Sequence, residues 1–215
     1  MHTLGRLILI ATAISASATA EAQRPQVQLV LPERQALATE PPWVRSAALV
    51  SDGALRDLLH NGFPARLHYK VERWSTGGWF DDIKATAEWD VVARYDALTK
   101  VYQIFRITGN STRYLGSFQT FADAEAVLDA PFKVPISLPR RGQRSYYNLV
   151  LDVEMLSLTE LDEVERWLRG EVKPAVRGQK NPGTAVSRGV KTVFVRLLGG
   201  ERRRYETRSG TFRPS

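Results

Sequence analysis

Few residues in this chain are equipped for acid–base chemistry. It carries three histidines, and two of them, His60 and His68, stand near each other in sequence. Imidazole is the side chain that most often serves as metal ligand or general base near neutral pH. A turn signal at Gly62 and Pro64 separates the two, and no third ligand follows at a recognisable spacing. Neither a metal nor a cofactor is therefore expected. A Ser–His–Asp triad would have to use His60 or His68, and the chain has no G-x-S-x-G nucleophile motif. Neither a P-loop nor a dinucleotide fingerprint occurs. Cysteine is absent, which excludes thiol catalysis, Cys-based zinc sites and iron–sulfur clusters.

Carboxylates and aromatics offer more. Asp81 and Asp82 follow Trp79 and Phe80 in the stretch STGGWFDD. Paired acids beside aromatics suit a glycosidase or a calcium site. Adjacent residues of a strand, however, point to opposite faces, so both acids read first as turn and strand-edge residues. Trp74, Trp79 and Phe80 bracket a Gly-rich turn and form a candidate contact cluster for a ligand or partner. Trp89 and Trp167 fall in apolar registers and read as core.

The elements that would position these residues alternate with period two. Ala65, Leu67, Tyr69 and Val71 are apolar, and Arg66, His68, Lys70 and Glu72 stand between them. Ile83, Ala85, Ala87, Trp89, Val91, Ala93 and Tyr95 repeat the pattern, as do Tyr147, Leu149, Leu151, Val153 and Met155. Each such run predicts a half-buried strand with one wet face. Further strands are expected at 27–31, 101–107, 113–118 and 132–138, and LPERQALATEPPW at 31–43 reads as loop. Helices are expected at 52–61, opened by Ser51 or Asp52, at 120–129, and from Ser157 onward. Short turns between long strands imply antiparallel pairing. The expected fold is mainly β, an antiparallel sandwich or open barrel with two or three short helices.

The two ends of the chain differ from this body. Residues 1–22 have the pattern of a signal peptide, with Arg6, an apolar run over 7–20, and Ala20-Glu21-Ala22 as a cleavage signal. This predicts an exported, periplasmic protein with no transmembrane span after cleavage. The formal net charge is +7. From Lys173 onward eleven Lys and Arg face two Glu, a balance of +9, whereas residues 23–172 hold eighteen against twenty, a balance of −2. Val186, Val190, Val193, Phe194, Leu197 and Leu198 recur at helical spacing, with Arg188, Lys191 and Arg196 opposite. We therefore expect a globular domain over 23–172, a linker over 173–183, a basic amphipathic helix over 184–199 and a basic mobile tail over 200–215. Arg188, Lys191, Arg196, Arg202, Arg203 and Arg204 are the expected contacts to an anionic membrane surface or an envelope protein. Nucleic acid is not an expected partner of an exported chain.

The motif order resembles DUF4390, a family of bacterial exported proteins of unknown function. The residues that carry the resemblance are LLHNGFPARLHYKVERW at 58–74, WFDD at 79–82 and YDALTKVYQIF at 95–105. SFQTFADAEAVL at 117–128 and YYNLVLDVEMLSLTELDEVERWL at 146–168 complete it. The resemblance covers about residues 45–172. It implies an exported β-rich domain and brings no catalytic residues. The residues alone thus favour a non-enzymatic envelope module. A small-molecule or glycan binder using the aromatic turn comes second, and a hydrolase using Asp81 or Asp82 third.

Overall fold

The computed structural model describes residues 24–77, 79–156, 191–197 and 200–215. The described chain is mainly β and antiparallel, in two sheets. Strands β1 (Gln26–Val30), β2 (Trp43–Ala47) and β7 (Phe132–Lys133) form the smaller sheet in the order β1-β2-β7. The larger sheet also contains β3 (Ala65–Ser75), β4 (Asp82–Asp96), β5 (Val101–Thr108), β6 (Ser111–Phe118), β8 (Ser145–Met155), β9 (Lys191–Leu197) and β10 (Gly200–Arg208). Its order is β6-β5-β4-β3-β8-β10-β9, an open sheet with two edges. Two short helices, α1 (Gly53–His60) and α2 (Phe121–Leu128), accompany the small sheet.

One apolar face of the large sheet makes the core. β3 alternates strictly, with Ala65, Leu67, Tyr69 and Val71 buried. Its register sets Leu67 between Val91 of β4 and Val153 of β8, and Tyr69 between Trp89 and Leu151. The Tyr69 and Trp89 rings stack with centroids 4.9 Å apart. Val27 and Val44 of the small sheet, Leu55 and Leu59 of α1, and Ala124 and Leu128 of α2 close over this face as one cluster. Layers of this kind arise because each alternating strand must bury its apolar side against another element. Both helices start where a polar side chain accepts from a free N–H. Asp52 accepts from Ala54 N–H at α1, and Thr120 accepts from Asp123 N–H at α2.

The C-terminal region departs from expectation. Residues 191–197 are strand, not helix, and residues 200–208 are strand, not mobile tail. β10 lies between β8 and β9, with Tyr205 opposite Leu151 and buried in the core. The physical reason lies in the residue types. Thr192, Val193 and Val195 are β-branched, and once a sheet is supplied Arg203 and Tyr205 take its buried face while Arg202 and Arg204 take the wet one. The domain therefore does not end at residue 172. The linker over 173–183 and the helix expected after Ser157 lie outside the described residues, as do Arg188 and Trp167.

Smaller differences have equally local causes. The loop at 31–43 contains a short 3-10 turn over Arg34–Ala36, and the unexpected strand β2 starts at its last residue, Trp43. The strand expected at 132–138 shrinks to two residues, because Pro135 and Pro139 have no N–H for a ladder. A bulge between β3 and β4 sets Trp74 opposite Ile83 where Lys84 would stand. One extra residue throws the following side chain off the core register. Ile83 is accordingly 49% exposed rather than buried.

Candidate functional site

The candidate contact residues meet at one end of the large sheet, where the β3–β4 hairpin turns. β3 is fixed up to its last residue by β8, with Trp74 opposite Tyr146 and Ser75 opposite Ser145. Gly77 then takes φ +126°, a backbone conformation that side chains with Cβ rarely adopt. Beyond the turn, Trp79 is 99% exposed and Phe80 84%. With Ile83 they form an apolar projection on an anchored stem. Single exposed hydrophobic residues are ordinary, but two large aromatics side by side at a loop tip are a contact signature.

Trp74 behaves differently. It is half-buried on the outer face of the sheet, where its ring is parallel to that of Tyr146 with centroids 6.0 Å apart. Its indole N–H donates to Glu72 at 3.1 Å. Arg208 of β10 lies 3.4 Å above the Tyr146 ring. The Tyr146 hydroxyl donates to Asp81 at 3.1 Å. Burial raises the Tyr146 pKa and the Arg208 charge partly offsets that. These contacts fasten the base of the hairpin to the sheet. Tyr146 and Arg208 escape sequence reading because only strand pairing brings them beside Trp74.

Neither carboxylate is placed for hydrolysis. Asp81 serves Tyr146 and stands 4.0 Å from Arg208, and Asp82 stands 3.4 Å from Lys84. Both are exposed at the hairpin, and neither lines the cleft beside Tyr69 and Trp89 or the one beside Phe212.

The outer face of the sheet carries the charges. His68 faces Asp90 on β4 and Asp152 on β8. Its Nδ1 is 2.8 Å from Asp90 Oδ1. Arg66 Nε lies 2.9 Å from the same oxygen, and its Nη1 lies 3.1 Å from Glu154. Burial alone would raise the Asp90 carboxyl pKa. The hydrogen bond from His68 and the Arg66 charge outweigh it and hold the group below its ordinary value. A His–Asp pair is two thirds of a hydrolytic triad, but the neighbours of His68 in register are Arg66, Lys70, Asp90 and Asp152. None of them is the Ser, Thr or Cys that such a triad uses. His60 is elsewhere, exposed at the end of α1, with Nδ1 3.0 Å from the Tyr102 hydroxyl. Among the described residues no group of three His, Asp or Glu could hold a metal ion.

The basic residues expected to form a free arm belong partly to this network. Arg202 pairs with Asp152 of β8 at 3.0 Å, and Arg204 with Glu206 of its own strand at 2.9 Å and with Asp152 at 3.9 Å. Arg203 points to the other face, where it is buried and pairs with Asp52 at 2.9 Å. All three therefore tie β10 to the body rather than standing free for a membrane. The side chains of Lys191 and Arg196 lie outside the described residues. Among the described residues no helix is long and apolar enough to cross a membrane.

No family model, no curated protein and no solved structure matches the chain.

Proposed function

We propose that this chain is a non-enzymatic interaction module of the bacterial envelope, exported to the periplasm and related to the DUF4390 proteins. Its contact end is the β3–β4 hairpin, and its contact is a lipid–water interface. One observation carries the reading: Trp79 and Phe80 stand almost fully exposed on a hairpin whose stem is clamped by β8. Trp suits such an interface because an apolar ring and a polar N–H meet different surroundings. The net charge of +7 adds attraction to anionic headgroups. The leader over 1–22 and the motif order support export and the family placement.

Flotation with anionic phospholipid vesicles tests the contact. The double variant Trp79→Ala, Phe80→Ala removes only exposed side chains, so its unfolding midpoint stays that of the parent. Vesicle recovery of the variant falls by about tenfold or more, given the apolar area withdrawn from the interface. Equal recovery of parent and variant would sink the reading.

A second reading is a glycan binder that uses the flat face of Trp74 beside Tyr146, whose rings are parallel within 3°. Saturable quenching of tryptophan fluorescence by oligosaccharides, lost in Trp74→Ala, is its signature.

A further inference from the structure

Next to Ser75 and the hairpin, the chain builds a second feature that the tip does not use. The C-terminal segment folds back on the start of β8. Phe212 N–H donates to Ser145 O at 2.8 Å, and Ser145 N–H donates to Phe212 O at 2.9 Å. In an antiparallel pair, a bridge between 145 and 212 sets residue 144 opposite residue 213. Both are arginines. Opposed residues of such a pair have Cβ atoms about 5 Å apart, and like charges there destabilise the pairing.

Arg144 and Arg213, with Arg34 from the 3-10 turn, line an open cleft of about 360 Å³. Its other walls are Leu37, Thr211 and Phe212. No acid lines it, and all three arginines are exposed. Among the described residues none of the three has a carboxylate within salt-bridge distance. On the sheet Arg66, Arg202, Arg203 and Arg204, by contrast, each meet an acid, whereas buried Arg73 meets a carbonyl and an amide oxygen. Arg140 and Arg141, exposed in the loop leading to β8, add to the same end. The backbone beneath is held firmly. Gly142 N–H donates to Pro214 O at 2.8 Å, Gln143 N–H to Arg140 O at 3.1 Å, and Thr76 N–H to Arg144 O at 2.9 Å.

We infer that this cleft is a binding site for a phosphate group, with Arg34, Arg144 and Arg213 as its ligating side chains. Planar guanidinium forks match phosphate oxygens two at a time, and a bound dianion turns the Arg144–Arg213 repulsion into a bridge. The Thr211 hydroxyl supplies a neutral donor. Leu37 and Phe212 give an apolar wall for the organic part of the ligand. The phosphate belongs either to a soluble phosphomonoester or to a lipid headgroup, because the cleft is open enough for both. The site does not depend on the aromatic tip.

The test uses the full chain after removal of residues 1–22. Inorganic phosphate and pyrophosphate are titrated by calorimetry at constant ionic strength. In parallel, sedimentation is run with phosphatidylcholine vesicles with and without phosphatidic acid. One saturable site for pyrophosphate, or sedimentation that requires phosphatidic acid, is expected. Either is weakened about tenfold or more in Arg144→Gln, Arg213→Gln. A charge-matched control, Arg45→Gln, Arg113→Gln, alters exposed arginines that do not line the cleft and keeps the parent's affinity. Response to pyrophosphate assigns a soluble ligand, and response to phosphatidic acid alone assigns a lipid. Absence of binding to every probe overturns the site. So does equal weakening in the control, which would mean that net charge alone is responsible. The substituted side chains are exposed and Arg144→Gln, Arg213→Gln relieves a like-charge pair, so an unfolding midpoint no lower than the parent's rules out misfolding as the cause.

Discussion

Asp90 shows how a charge can sit on a sheet face without being a site. Its carboxylate is 10% exposed and receives both Arg66 and His68. Asp90→Asn leaves two cationic or polar partners facing a neutral amide, although Arg66 keeps Glu154. The expected cost is about 2 kcal/mol, measured by urea unfolding near neutral pH. The sign of its pH dependence follows from its lowered pKa. A carboxyl held below its ordinary 3.8 when folded stabilises the protein above that value. That contribution is lost as pH falls through the folded value. The stability gap between parent and Asp90→Asn therefore closes as pH falls from the ordinary carboxyl value through the lower folded one, and a gap that widens on acidification contradicts the assigned pairing. From sequence, His68 could be placed in a polar row, because alternation from Ala65 to Val71 fixes its face. Its partner could not, since β4 register decides whether Asp90 or Glu88 stands opposite.

Element by element, legibility followed the strength of local periodicity. β3, β4 and β8 alternate over long runs, and Asp52 and Thr120 announce their helices, so these were readable. Ile83 was misplaced because a bulge at Lys84 breaks a pattern that looks unbroken in letters. The stretch 190–198 was misread because Val190, Val193, Phe194 and Leu197 fit helical spacing while Val193, Val195 and Leu197 also fit strand spacing. Choosing between them needs the neighbour, and β10 is that neighbour. The segment ERRRYETR looked like a solvated tail because its acids are supplied by other strands, as Asp152 and Glu154 supply Arg202. A chain ending at residue 199 tests the correction. Losing β10 strips Tyr205 from the core and bares the backbone edge of β8, so cooperative unfolding disappears and the product aggregates. A mobile tail would instead leave the melting midpoint of the truncated chain unchanged.

At the scale of the whole molecule, two contact surfaces among the described residues gather at one end of the large sheet. The aromatic tip and the arginine cleft both lie at the β3–β8 end of the large sheet, linked through Ser75, Ser145 and the backbone bond from Thr76 to Arg144. The tip was half legible, since Trp79 and Phe80 follow a turn signal. The cleft was not, because Arg34, Arg144 and Arg213 are more than a hundred residues apart at the extremes and meet only through folding.

The place of β10 between β8 and β9 has a bearing on timing. Strands β3, β4 and β8 are complete by Met155, yet the sheet cannot be finished until Arg208 has been delivered. A chain that emerges N-terminus first thus holds an unfinished sheet until β10 has emerged. β10 therefore acts as a closing strand, and commitment to the folded sheet follows its delivery rather than that of β8.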